Sequence, residues 1–172
     1  MSEETIRYAG GCACGAVQVT VTGKPRAAGY CHCETCRRWH TAPINAWAAW
    51  PADAVAVTQG EEELLEFDAY RLRQFDGHQA TDDKGSANCR CSCRRCGAGV
   101  MNRRRDGVTV VYPSALYGSA FNHAPTVHIH YQERVLDVQD GLPKFADGPA
   151  EYGGSGEMID EPRRTGPASD GI

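Results

Sequence analysis

Seven of the chain's nine cysteines stand in three short motifs. The first is Gly11-Cys12-Ala13-Cys14-Gly15-Ala16-Val17, the second Cys31-His32-Cys33-Glu34-Thr35-Cys36-Arg37, and the third Cys93-Arg94-Arg95-Cys96-Gly97. Cys89 and Cys91 stand just ahead of the third. A Cys-x-x-Cys pair lets two sulfurs converge on one ion, with backbone N–H groups of the tight loop turned toward the thiolates. Gly97 offers the positive φ that such a knuckle needs. Cys-x-Cys does the same with a tighter bite. Two such pairs, far apart in sequence, supply four soft ligands and a closed tetrahedral site, the pattern of structural zinc. Cysteines with only a packing role scatter along a chain and do not cluster at ligand spacing.

The clusters partition in more than one way. A 4 + 3 + 2 division makes one four-cysteine site from two pairs and a three-cysteine site from Cys31, Cys33 and Cys36, with two spare thiols. A 4 + 4 + 1 division lets Cys89 or Cys91 close the second site. A zinc ribbon built from the two Cys-x-x-Cys units would leave Cys12, Cys14 and Cys31 without partners and ranks lowest. The difference decides function. Three protein ligands leave a coordination position for water or substrate, and four leave none.

Other residues near the motifs carry weaker signals. His32 can orient a ligand or act as an acid or base, and it can equally pack beside the knuckle. His128 and His130 are expected to share a strand face, with no third ligand to make a metal site. Trp39, Trp47 and Trp50 flank the second motif and read mostly as core. Arginine is abundant around the motifs, at Arg37, Arg38, Arg90, Arg94, Arg95, Arg103, Arg104 and Arg105. Compensation of anionic metal–thiolate sites explains it more simply than capture of substrate carboxylates. Glu61-Glu62-Glu63 reads as a solvated run.

The elements that must position these residues are short strands. Residues 16–22 alternate strictly, with Val17, Val19 and Val21 on one face. Residues 26–30, 43–50, 54–58, 107–112 and 126–131 read as further strands, and 61–67 is ambiguous between helix and strand. A short helical turn fits within 114–123, and 76–88 reads as a loop. On a strand, Cys89, Cys91 and Cys93 would share one face. The expected class is mainly β, with few or no long helices.

Composition sets the outer limits. The chain has 172 residues, and its net charge of −4 argues against whole-surface binding to nucleic acid or anionic membrane. No apolar run is long enough for a membrane span, and the acidic N-terminus lacks a secretory h-region. A cytoplasmic location follows as the expectation, where disulfides are disfavoured and metal is the better use of cysteine. Residues 147–172 are rich in glycine and proline and read as an extension to a domain over 1–146.

The motifs in this order resemble the glutathione-dependent formaldehyde-activating enzymes, the family shared with centromere protein V. Pro125-Thr126-Val127-His128-Ile129, Asp140-Gly141-Leu142-Pro143-Lys144-Phe145 and Gly153-Gly154-Ser155-Gly156-Glu157 extend the likeness over roughly residues 8–158. The resemblance implies a zinc-stapled "β-tent" of short antiparallel strands. It implies two zinc ions, a structural one on Cys12, Cys14, Cys93 and Cys96 and a catalytic one on Cys31, Cys33 and Cys36. The implied activity is that of a carbon–sulfur lyase joining glutathione to formaldehyde, with a small thiol and an aldehyde as partners. Assembly as a homo-oligomer is left open. Ser92 departs from the family's usual aromatic residue before the third motif, and the two extra cysteines precede it.

Overall fold

The structure, a computed structural model, describes residues 6–68 and 88–160. Ten strands, one seven-residue helix and short 3-10 turns make up the regular elements among them, so the class is mainly β, as expected. Of the segment read as a loop over 76–88, only Asn88 lies within the described residues, and it opens a strand. No described helix is long and apolar enough to cross a membrane. The chain divides into two compact units, residues 1–28 with 46–125, and residues 29–45 with 126–172.

In the first unit, β1 (Arg7–Gly11), β2 (Gln18–Thr22) and β5 (Val55–Gln59) form an antiparallel sheet in the order β1-β2-β5. Alternation sets its faces: Val17, Val19 and Val21 are fully buried, whereas Gln18 is exposed. Each buried valine contributes about 1.5–3 kcal/mol. β1 was not anticipated, because Gly10 and Gly11 interrupt any pattern. They are there for close approach: a Cβ on Gly10 would fall 1.9 Å from the Ala115 carbonyl oxygen.

The same unit holds the antiparallel run β4 (Asn45–Pro51), β9 (Val108–Val111), β8 (Gly99–Arg104), β7 (Asn88–Cys93) and β6 (Leu64–Asp68), in that order. Trp50, Val100, Met101 and Val111 join the three valines in one core. Trp50 donates its indole N–H to the Gly23 carbonyl at 3.0 Å, which satisfies its one buried polar atom. The ambiguous stretch after Gly60 resolves into a 3-10 turn, Glu61–Glu63, followed by β6. Two of the three glutamates are not merely solvated: Glu61 pairs with Arg103 and Glu63 with Arg95.

In the second unit, β3 (Ala27–Cys31) pairs with β10 (His128–Ile129), and α1 (Glu34–His40) follows β3 in the chain. The β3–β10 pair is parallel, an exception to the antiparallel expectation. Alternation over 126–131 also stops early. His130 adopts φ +53° and donates its backbone N–H to the Asp147 carbonyl, so His128 and His130 do not share a strand face. Beyond it the Asp147 carboxylate accepts hydrogen bonds from the backbone of Gly148 at 2.6 Å and from the backbone and hydroxyl of Ser155 at 3.0 and 2.6 Å.

Candidate metal centres

The first cysteine group is built by two tight turns of the first unit. After β1 the chain folds back, with the Cys12 N–H donating to the Val17 carbonyl at 3.0 Å and the Gly15 N–H to the Cys12 carbonyl at 3.1 Å. Between β7 and β8 the Gly97 N–H donates to the Cys93 carbonyl at 2.8 Å, and Gly97 takes φ +74°. These turns bring the sulfurs of Cys12, Cys14, Cys93 and Cys96 within 4.8 Å of one another. The Cys12–Cys14 and Cys14–Cys93 separations are 3.5 and 3.8 Å. Four sulfurs placed tetrahedrally about 2.3 Å from one ion stand about 3.8 Å apart. The group therefore fits a closed four-thiolate site. The Val17 N–H, 3.2 Å from the Cys12 sulfur, favours its ionised form.

The second group gathers Cys31, Cys33 and Cys36, again within 4.8 Å of one another. Cys31 ends β3, and Cys33 is the N-cap of α1, its sulfur accepting the Cys36 N–H at 3.3 Å. The cap gives the helix its start and fixes two of the three cysteines at once. Arg37 braces the knuckle by donating to the carbonyls of His32 and Glu133, each at 3.1 Å. Glu133 in turn accepts the Glu34 N–H at 2.8 Å. Crowding with Cys33 and Cys36, and then burial, push the Cys31 thiol well above its ordinary range. A bound cation would relieve that crowding.

His32 is fully buried between two of these cysteines but does not join their group. Its Nε2 lies 2.8 Å from His128 Nδ1, and His128 Nε2 lies 2.8 Å from Asp140 Oδ2. Tyr131 stands edge-on to both rings. Burial, and then the neighbouring His128 and cations, push the His32 imidazole down to about 4. Burial raises the Asp140 carboxyl, but the hydrogen bonds from His128 and Lys144 outweigh it and hold it at about 2. An ionised Asp140 accepts the His128 Nε2–H. In neutral His128 this leaves Nδ1 to accept from His32 Nε2–H. His32 Nδ1 is then a buried lone pair with no hydrogen-bond partner among the described residues.

Cys89 and Cys91 gather with Glu66 instead of completing a cysteine group. The arginines near the motifs are largely engaged: Arg95 with Glu63, Arg103 with Glu61 and Glu66, Arg104 with Asp106 and Arg105 with Asp68. Their partners are the chain's own carboxylates. Trp47 and Trp50 are buried on β4, and Trp39 is half-buried on α1. Glu133 and Asp140 escaped the reading of spacing. They meet the second motif only through folding, Glu133 lying 99 residues along the chain from Glu34. As a candidate ligand His128 was weighed only beside His130, the wrong partner.

A mainly β fold carrying two separate thiol groups, each able to hold a metal ion, defines the class of protein. The chain belongs to the glutathione-dependent formaldehyde-activating enzyme family, whose model matches residues 7–133. A crystal structure of a Rhodobacter sphaeroides protein is similar, at 24% identity and a TM-score of 0.47, over 64% of this chain and 88% of that one. No curated protein matches the chain.

Proposed function

We propose that the chain is a zinc-dependent carbon–sulfur lyase of the S-(hydroxymethyl)glutathione synthase type, joining glutathione or a related thiol to formaldehyde or a related aldehyde. The observation that carries this reading is the three-member thiol group of Cys31, Cys33 and Cys36 in a chain of this family. Three ligands suit a working zinc, and the group of Cys12, Cys14, Cys93 and Cys96 suits a structural one. The alternative, a non-enzymatic module, needs Cys89 or Cys91 to close the second site, and both gather with Glu66.

In the reaction a carbon–sulfur bond forms, the carbonyl π bond breaks, and the thiol proton ends on the new hydroxyl. Zinc at the three-cysteine site would supply a depressed thiol pKa to the incoming substrate. The chain's own part is positioning. Cys33 holds its ligand geometry through the helix cap, Arg37 ties the knuckle to Glu133, and Asp140 and His128 fix the orientation of His32. The proposed location is cytoplasmic, a reducing compartment in which cysteine serves as a metal ligand and not as a disulfide partner.

The test compares wild type with Cys33→Ala. Zinc content should fall by one per chain, and catalysed thiohemiacetal formation from glutathione and formaldehyde should vanish while the fold persists. Full zinc content with full activity in that variant would refute the assignment. Glutathione and other small thiols run side by side identify the substrate class.

A further inference from the structure

We propose a third cation site, unconnected with the thiol–aldehyde chemistry, on one face of β6 and β7, where it passes from core to solvent. Its ligands are Cys89, Cys91 and Glu66, and it takes a thiophilic divalent cation of the zinc and cadmium class. The register of the two strands assembles it. Glu66 stands directly opposite Cys91, and Asp68 directly opposite Cys89. Residues paired in this way lie on one face of a sheet, as do residues two apart on a strand. Two sulfurs and two carboxylates therefore share one patch. The Cys89 and Cys91 sulfurs and a Glu66 carboxylate oxygen lie within 4.8 Å of one another.

The patch is graded from core to solvent. Cys91 is fully buried, Cys89 half-buried and Glu66 exposed. A cleft of about 330 Å³ lined by Glu66, Phe67, Asp68 and Cys89 gives an ion its way in. A divalent ion on two thiolates and one carboxylate leaves a net charge of −1. The Arg103 guanidinium, hydrogen-bonded to both Glu66 and Glu61, stands beside it and offsets part of the negative charge of the patch. Binding forms two metal–sulfur bonds and one metal–oxygen bond and releases the two thiol protons to solvent, with no change of oxidation state. Among the described residues β6 ends the run of strands, and the ion would clip it to its neighbour β7.

The experiment uses the full chain, reduced and anaerobic, dialysed against buffered Cd²⁺. Metal per chain is counted, and thiolate-to-metal charge-transfer absorption is read. Wild type should hold one cadmium more than Cys89→Ser and show the absorption of two more thiolates. Glu66→Gln, an exposed change that leaves the core intact, should weaken the extra equivalent by about tenfold or more. Equal metal and equal absorption in wild type and Cys89→Ser would overturn the site, as would an extra equivalent indifferent to Glu66→Gln. The readout is a difference between variants, so it holds or fails independently of the activity assigned to Cys31, Cys33 and Cys36.

Discussion

At the scale of single residues, Asp140 acts entirely through others. It receives hydrogen bonds from His128 at 2.8 Å and from Lys144 at 3.1 Å. Its pKa of about 2 lies below the ordinary aspartate value of about 3.9, so it stabilises the fold above that value. The contribution is lost as pH falls through about 2. Asp140→Asn should cost about 1–2 kcal/mol at pH 7 in urea unfolding, and the gap between variant and wild type should narrow from about pH 4 downward. A gap that widened with acid would contradict the pairing. The cysteine groups were legible because convergence of i, i+2 and i, i+3 sulfurs is a local matter. Which pair joins which came from resemblance alone. Glu133 and Asp140 were illegible as parts of the site because no local rule links Glu133 to Glu34, 99 residues away, and Asp140 reaches His32 only through His128.

At the scale of elements, alternation exposed β2 and failed for β1 and β10. β2 buries one face and leaves the other wet, which is the condition that writes a period of two into sequence. β1 trades side chains for backbone contact, and β10 is two residues long and pairs in parallel. The close packing of β1 is open to direct test. Gly10→Ala places a methyl against the Ala115 carbonyl oxygen and should destabilise by about 3 kcal/mol, seen as a lower urea midpoint. Gly15→Ala meets nothing within 4 Å but must hold φ +76°, and should cost about 1–2 kcal/mol. If the two substitutions cost the same, strain and crowding have been misassigned. Helix α1 was also unanticipated, since its seven residues owe their start to Cys33 and not to any apolar periodicity.

At the scale of the molecule, each compact unit contains one complete cysteine group. The first unit holds Cys12, Cys14, Cys93 and Cys96, and the second holds Cys31, Cys33 and Cys36. Metal binding to such groups is folding free energy, because the unfolded chain has no preformed site. If both groups hold the proposed metals, loss of either should therefore loosen its own unit first. In hydrogen exchange, Cys14→Ser should deprotect β1, β2, β7 and β8, and Cys33→Ala should deprotect β3, β10 and α1. Uniform deprotection by both variants would mean that the units do not respond separately. Composition argued against broad anionic partners, but it gave no hint of a division into two units. That division arises from where the chain leaves and re-enters, at residues 28–29, 45–46 and 125–126.

Strand β7 carries the heaviest traffic of function, since Cys93 serves one group and Cys89 and Cys91 another. The consequence concerns how such a gene can vary. A point substitution at one cysteine removes one donor and spares the rest. Deletion or insertion of a single codon within 88–93 shifts the strand's parity and turns each side chain past it to the opposite face. One such event would misdirect cysteines from both groups together. Variation in length is therefore expected to collect in the turns outside β7 and not within it. A library of single-residue insertions through β7 and the residues on either side of it, scored for zinc retention, would reveal that boundary as a sharp step.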